Sequence, residues 1–269
     1  MSRQGFNENE LTEMSPREFR SIVRQGKYVG STHMACRGYV QANLVVIPKE
    51  MALEFLLFCQ RNPRACAVLD ATDPGDPHPK LAAPEADLRT DLPKYRIFKD
   101  GKIIDEPTDI TAYWRDDLVA ILIGGSYSFD WSLRAANIRY RLTGGYTTNI
   151  QCIPAGRFHG PMVVTTRLFK TSYDAVRAVQ ISSRHLEGHG PPVHIGDPAE
   201  IDIKDLCHPD IFSISESIAP QQSGEIALHW GCGITPQTVA LQSKVPFMIT
   251  HVPSHVFITD ILAEEAASL

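Results

Sequence analysis

The amino-acid sequence predicts an α/β protein: a mixed, mostly parallel sheet domain with a smaller inserted α+β domain. A strand-like run at 40–47, a helical pattern and a second strand-like run at 66–69 have the rhythm of a βαβ unit. Two apolar runs, at 118–123 and 225–230, break at glycine turns before helical patterns, Gly124-Gly125-Ser126 and Gly231-Cys232-Gly233. Ligands of open α/β sheets bind beyond the carboxyl ends of strands, so both junctions are expected to line one crevice. The stretch 147–224 has a different rhythm and is read as the insertion, with 1–146 and 225–269 forming the main domain.

Element by element, Ser15-Pro16-Arg17-Glu18 is a capping box with proline at the first helical position, and Gly26 stops the helix it opens. Val40 to Ile47 reads as a strand, and Pro48 starts a helix that Asn62-Pro63 ends. Pro74, Gly75, Pro77, Pro79 and Pro84 make the region to Pro93 an irregular excursion. Leu118 to Ile123 has the uninterrupted apolar character of a strand buried on both faces. Met162 to Leu168 is a further strand, Thr171 caps the next helix, and His189-Gly-Pro-Pro is a rigid loop. Near the end, Thr235 and Pro236 have the form of an N-cap and first helical residue.

Composition narrows the function. Hydrophobic residues make up 43% and charged residues 21%, with a formal charge of −5. No Lys/Arg stripe supplies phosphate contacts, so nucleic acid is not an expected partner. No apolar run nears the ~20 residues of a membrane span and the N-terminus is polar, so a cytoplasmic protein without a membrane partner is expected. The six cysteines form no C-x-x-C pair, which argues against disulfides and a zinc ribbon. A dinucleotide fingerprint and a P-loop are missing, so no cofactor is expected. Pro253 between His251 and His255 argues against a helical ligand pair, and no metal is expected.

What remains is chemistry for a small acid. Backbone N–H groups at the Cys232-Gly233 turn suit a carboxylate or an oxyanion and would lower the thiol's pKa. His251 and His255 are the residues expected to exchange protons near neutral pH. Thr235 and Gln237 offer polar contacts, and Arg157 with His159 can grip a carboxylate. Ser126, Ser128 and Asp130 enter through their junction, beside a helix-cap reading; Asn149 is a weaker binding position beside an Asx-turn reading, and Arg37 is read as a ligand contact or a buried tie between domains.

The chain also resembles the D-glutamate cyclase-like proteins, a hydro-lyase family that includes YcsI-like proteins. The resemblance rests on Arg37-Gly-Tyr-Val-Gln-Ala-Asn43, Thr72-Asp-Pro-Gly-Asp76, Ala86-Asp-Leu-Arg-Thr-Asp91, Thr148-Asn149, Cys152-Ile-Pro-Ala-Gly-Arg-Phe-His-Gly160, Pro192-Val-His-Ile-Gly-Asp-Pro198, Cys232-Gly-Ile-Thr-Pro-Gln237 and Thr250-His251 with His255, in order over nearly the whole chain. It implies a two-domain α/β architecture and a hydro-lyase acting on a small carboxylate, with D-glutamate or a related amino or hydroxy acid as the expected substrate and closure of D-glutamate to 5-oxo-D-proline as one such reaction. The chain departs from the family where Gly124-Gly125-Ser126 replaces a usual Gly-Cys-Ser, Asp130 a frequent Glu, and Pro253-Ser254-His255 a frequent Pro-Gly-His. Two rivals follow: a Cys232-dependent amidase or acyl-transfer enzyme with His251 as base, and a non-catalytic carboxylate-binding module. Assembly into a homo-oligomer is left open by the sequence.

Overall fold

The computed structural model describes residues 5–267. Its strands, in chain order, are β1 (Tyr39–Pro48), β2 (Val68–Ala71), β3 (Tyr95–Lys99), β4 (Lys102–Asp105), β5 (Leu118–Gly124), β6 (Arg141–Gln151), β7 (Pro161–Phe169), β8 (His194–Ile195), β9 (Phe212–Ser213), β10 (Ile226–Gly231), β11 (Phe247–His251) and β12 (Phe257–Leu262). The helices are α1 (Glu8–Glu13), α2 (Pro16–Arg24), α3 (Lys49–Arg61), α4 (Asp130–Ala135), α5 (Ser172–Ser182), α6 (Thr235–Ser243) and α7 (Ala263–Ala266). One sheet runs β2-β5-β1-β11-β3-β4, with β12 also on β1; the other runs β8-β10-β7-β6-β9. The second sheet is thus drawn from one continuous stretch, and the first from the chain on either side of it.

The expected mostly parallel sheet is overturned, because every strand pairing among the described residues is antiparallel. Strand β5 lies between β1 and β2 and pairs antiparallel with both, so β1 and β2 do point the same way, as a helical crossover requires. Sequence rhythm recorded that crossover but not the strand later slotted into it. The apolar run of β5 misled for a related reason: burial on both faces, not parallel pairing, is what makes a strand continuously apolar. On one face Val119, Ile121 and Ile123 join Met51, Phe55, Phe58 and Cys59 of α3. On the other, Leu118, Ala120 and Leu122 meet Ala82, Ala83, Ala86, Leu88 and Leu92 from the proline-rich excursion.

That excursion is therefore a packed layer, and its backbone is satisfied by anchored carboxylates. Asp70 accepts from the Leu81 and Ala82 N–H groups at 2.7 and 2.8 Å. Asp91 takes a two-pronged grip from Arg24 at 2.7 Å on each arm. The capping box of α2 forms as read, with Ser15 and Glu18 exchanging hydrogen bonds, and Gly26 follows at φ +69. Helix α3 buries positions 51, 55, 58 and 59, one stripe at helical spacing. Truncating Phe55 or Phe58 in this core would cost about 3–5 kcal/mol.

Candidate active site

The site begins with a division in β1. Its first half pairs with β12 at Gln41 and Ala42, and its second half with β11 at Val45 and Val46. Between them β11 and β12 part, and the Leu44 N–H is met by a side chain: it donates to Nδ1 of His251 at 3.2 Å. The face of β1 that is apolar at Val45 and Ile47 turns polar at Gln41 and Asn43, since alternate residues share a face.

This polar end faces the second sheet across a small cavity. Its walls include Gln41 and Asn43, the turn 125–127 after β5, Thr165 of β7, the turn 232–234 after β10, His251, and His189. Both glycine junctions therefore meet at one place. Gly124 is required there because a Cβ would lie 1.7 Å from the Glu187 carbonyl oxygen, and Gly233 because a Cβ would lie 2.0 Å from Nδ2 of Asn43.

Four buried polar atoms of this wall have no partner among the described residues: both ring nitrogens of His189, Nε2 of His251 and Oε1 of Gln41. Leaving such atoms bare costs about 1–3 kcal/mol each, so their concentration in one hollow marks a place for a polar guest. Their roles follow from their neighbours. Because Leu44 donates to Nδ1 of His251, the neutral ring carries its hydrogen on Nε2 and presents a donor to the cavity. The Nε2 group of Gln41 donates to the carbonyls of Thr32, His33 and Ala35, which fixes the amide and leaves its oxygen as a cavity acceptor. A neutral His189 offers one donor and one acceptor.

Burial holds both histidines neutral, His251 and His189 each lowered to about 3; for His189 the nearby Arg167 adds to the effect. Arg167, 0% exposed, forms the charged layer behind the cavity. Its Nε and Nη2 donate to one oxygen of Asp130 at 3.0 and 2.7 Å, and His33 approaches the other oxygen at 3.2 Å. Burial acts to raise the Asp130 pKa, but Arg167 and His33 outweigh it and the carboxyl lies below its ordinary value. The guanidinium packs on Phe129 and Trp230, 4.6 and 5.1 Å from their ring centres. It also donates to the Ser126 carbonyl at 3.3 Å and contacts Oγ1 of Thr165 at 3.5 Å, which directs positive potential toward the hollow.

Of the residues singled out from sequence, Ser126, Cys232, Gly233 and His251 line the cavity. Gln237 stands behind it, donating to the His251 carbonyl at 2.7 Å and accepting from Arg96 at 3.1 Å, so it positions β11. Thr235 is not the N-cap: Ile234 occupies that place, and the Thr235 hydroxyl donates to the Cys232 carbonyl and accepts from the Val163 N–H. Ser128 accepts from the Gln41 N–H, and Asp130 holds Arg167. His255 bonds the Pro253 carbonyl through Nδ1, with burial lowering its pKa. The Cys232 thiol is pushed up to about 11 by burial, against the lowered value expected from its turn.

The others lie outside the cavity wall. Arg157 pairs with Glu54 on the surface, His159 is exposed, Asn149 donates to the Glu200 carbonyl, and Arg37 pairs with Glu13. His189, Gln41, Asn43, Tyr127 and Thr165 are wall residues that the sequence reading did not select. A signal existed for two of them: Gln41 and Asn43 are polar residues two apart in an otherwise apolar strand. No helix among the described residues is long and apolar enough to cross a membrane.

Comparison with known proteins agrees with this architecture of shared motifs. The D-glutamate cyclase family profile matches residues 119–260, which include all of β5 after Leu118, both junctions, His189 and His251. A Bacillus subtilis (strain 168) protein named "Putative hydro-lyase YcsI" is 49% identical over 262 residues, 95% of this chain and 100% of that protein. A Bacillus licheniformis protein also named a "Putative hydro-lyase" is 48% identical over 95% of this chain and 98% of its own length. A third, from Stutzerimonas stutzeri, is 47% identical over 94% of this chain and 96% of its own. The chain belongs to the D-glutamate cyclase family, a family of lyases.

Proposed function

We propose that this lyase removes water from a small carboxylate in the cavity between the sheets, with closure of D-glutamate to 5-oxo-D-proline as the reaction. The observation that carries the reading is the set of four unpartnered polar atoms on His189, His251 and Gln41. In the reaction the neutral α-amine attacks the γ-carboxyl carbon, a C–N bond forms, and the carboxyl hydroxyl departs with one amine hydrogen as water. A hollow walled by neutral side chains favours the uncharged amine and the protonated carboxyl that this step needs.

His251 then serves as a neutral donor: Nε2–H hydrogen-bonds the carbonyl oxygen as negative charge builds on it. This differs from an acid/base role, because a ring held at about 3 and already protonated on Nε2 has no lone pair facing the cavity. His189, with one donor and one acceptor nitrogen, relays the amine hydrogen to the departing hydroxyl. Gln41 Oε1 accepts from the amine and orients its lone pair. The cavity's 30 Å³ holds about two waters, so a guest must widen it. A thiolate mechanism at Cys232 is disfavoured by a thiol near 11.

Incubation with D- and L-glutamate, followed by chiral chromatography of 5-oxoproline, tests the reading. The D-product should form, and His189→Ala should reduce it about 100-fold or more. Absence of product from either enantiomer, with no shift in melting temperature on adding them, would remove this substrate.

A further inference from the structure

A second constellation lies outside the cavity just described. Oγ of Ser132, on α4, is 3.0 Å from Nε2 of His185, and Nδ1 of His185 is 2.7 Å from Oε1 of Glu187. The polarity is defined by the chemistry of the three groups. A carboxylate oxygen takes the Nδ1 hydrogen, leaving Nε2 with a lone pair directed at the serine hydroxyl. That is the order nucleophile, base, orienting acid found in acyl-transfer sites, which are recognised by geometry and not by chain position. His185 and Glu187 are buried, while Ser132 is half-buried.

What distinguishes this from a structural tie is where the serine points. Ser132 and His185 both line a surface cavity of about 1070 Å³, far roomier than the hollow between the sheets. Trp131 and four arginines, Arg37, Arg134, Arg177 and Arg184, share that lining, against two carboxylates, Glu264 and Glu265. Arg134 packs over the Trp131 ring, 5.5 Å from its centre, and Arg177 donates to Gln180 at 2.9 Å, so both guanidinium groups are held in place on the wall. Guanidinium groups bind carboxylate and phosphate oxygens in bidentate fashion.

We propose that Ser132, His185 and Glu187 form a second catalytic centre, an esterase site for small esters that carry a negative charge on the acid portion. Ser132 Oγ adds to the ester carbonyl as its hydrogen passes to Nε2 of His185. The C–O bond to the alcohol then breaks, and the alcohol leaves with that hydrogen. Water, deprotonated by the same nitrogen, hydrolyses the acyl-serine and releases the acid. Glu187 holds the ring in the required tautomer and offsets its transient charge, and Arg134 and Arg177 hold the anionic end of the substrate.

The test uses the full-length protein, a fluorophosphonate probe and two chromogenic esters, mono-4-nitrophenyl succinate and 4-nitrophenyl acetate. The probe should label Ser132, identified by peptide mass spectrometry. The succinate half-ester should turn over at least tenfold faster than the acetate, and Arg177→Gln should erase that preference. Ser132→Ala and His185→Gln should each lower ester turnover about 100-fold or more, with the fold checked by circular dichroism. Because labelling is read on the unmutated protein, a variant that fails to fold does not rescue the proposal. No label on Ser132, or no turnover above buffer, makes the three residues a tie between α4 and the 185–189 turn. Equal rates on both esters overturn the anionic specificity.

Discussion

One five-residue turn supplies a histidine to each of two hollows, and the two rings are treated in opposite ways. His185 has both nitrogens engaged, by Ser132 and Glu187, beside an open cavity lined with arginine. His189, four residues on, has neither nitrogen engaged and faces a smaller hollow without charged side chains in its wall. A fully bonded imidazole is locked in one tautomer, fit to orient or to take a proton from a fixed neighbour. A buried imidazole with bare nitrogens carries a desolvation cost that only a guest can offset. The contrast teaches that burial alone does not fix a histidine's part: bonded nitrogens set one tautomer toward a fixed neighbour, and bare ones leave capacity for a guest.

The largest disturbance should come from the group that stands between the hollows. Arg167 reaches Ser126 and Thr165 on one side and Asp130, the first residue of α4, on the other. Arg167→Met leaves Asp130 buried with only His33, and should cost about 3–5 kcal/mol in urea unfolding. Adding Asp130→Leu should restore much of that loss; a single variant as stable as the parent would show that the pair carries no such weight.

Next in size is a lesion confined to the hollow between the sheets. His251→Ala should lower lyase turnover by about 100- to 1000-fold, and its bare Leu44 N–H should cost about 1–3 kcal/mol of stability. Turnover within threefold of the parent would take His251 out of the chemistry.

The pH dependence separates the two treatments further. His189 and His251 at about 3, and the buried His229 at about 4, all lie below their ordinary 6.5. The unfolded chain therefore binds protons that the folded chain refuses. The stability from these rings is fully present above about pH 6.5 and is lost as pH falls, toward 4 for His229 and toward 3 for His189 and His251, at up to about 1.4 kcal/mol per pH unit for each ring. Melting temperature should fall from pH 7 to pH 5, and less steeply in His189→Asn. A flat profile would mean the rings charge freely. The smallest effect belongs to Cys232→Ser: a thiol near 11 is not ionised at pH 7.5, so turnover should change less than threefold and iodoacetamide should react slowly.

Local signals in the sequence were legible where they are physically local. Ser15 and Glu18 cap α2 because a capping box acts within one turn, and the strand-then-glycine pattern of β5 and β10 marks two real junctions. Strand order was not legible, since the partner that separates β1 from β2 arrives some fifty residues later, with β5. Thr235 looked like a cap one residue too far on, because its hydroxyl is used to close the Cys232 turn instead. Arg157 attracted notice as a loop cation, whereas Arg167, the buried arginine behind the hollow, sits within an apolar strand where pattern alone reads as packing. His189 has no motif, because what distinguishes it is the lack of any neighbour for its nitrogens.

The most direct test of the hollow between the sheets is to watch those nitrogens. With ¹⁵N-labelled histidine, ring spectra recorded as D-glutamate is added should show the His189 and His251 resonances moving together while the His185 pair stays in place. Stationary His189 and His251 signals at saturating D-glutamate, with movement only elsewhere, would contradict the account.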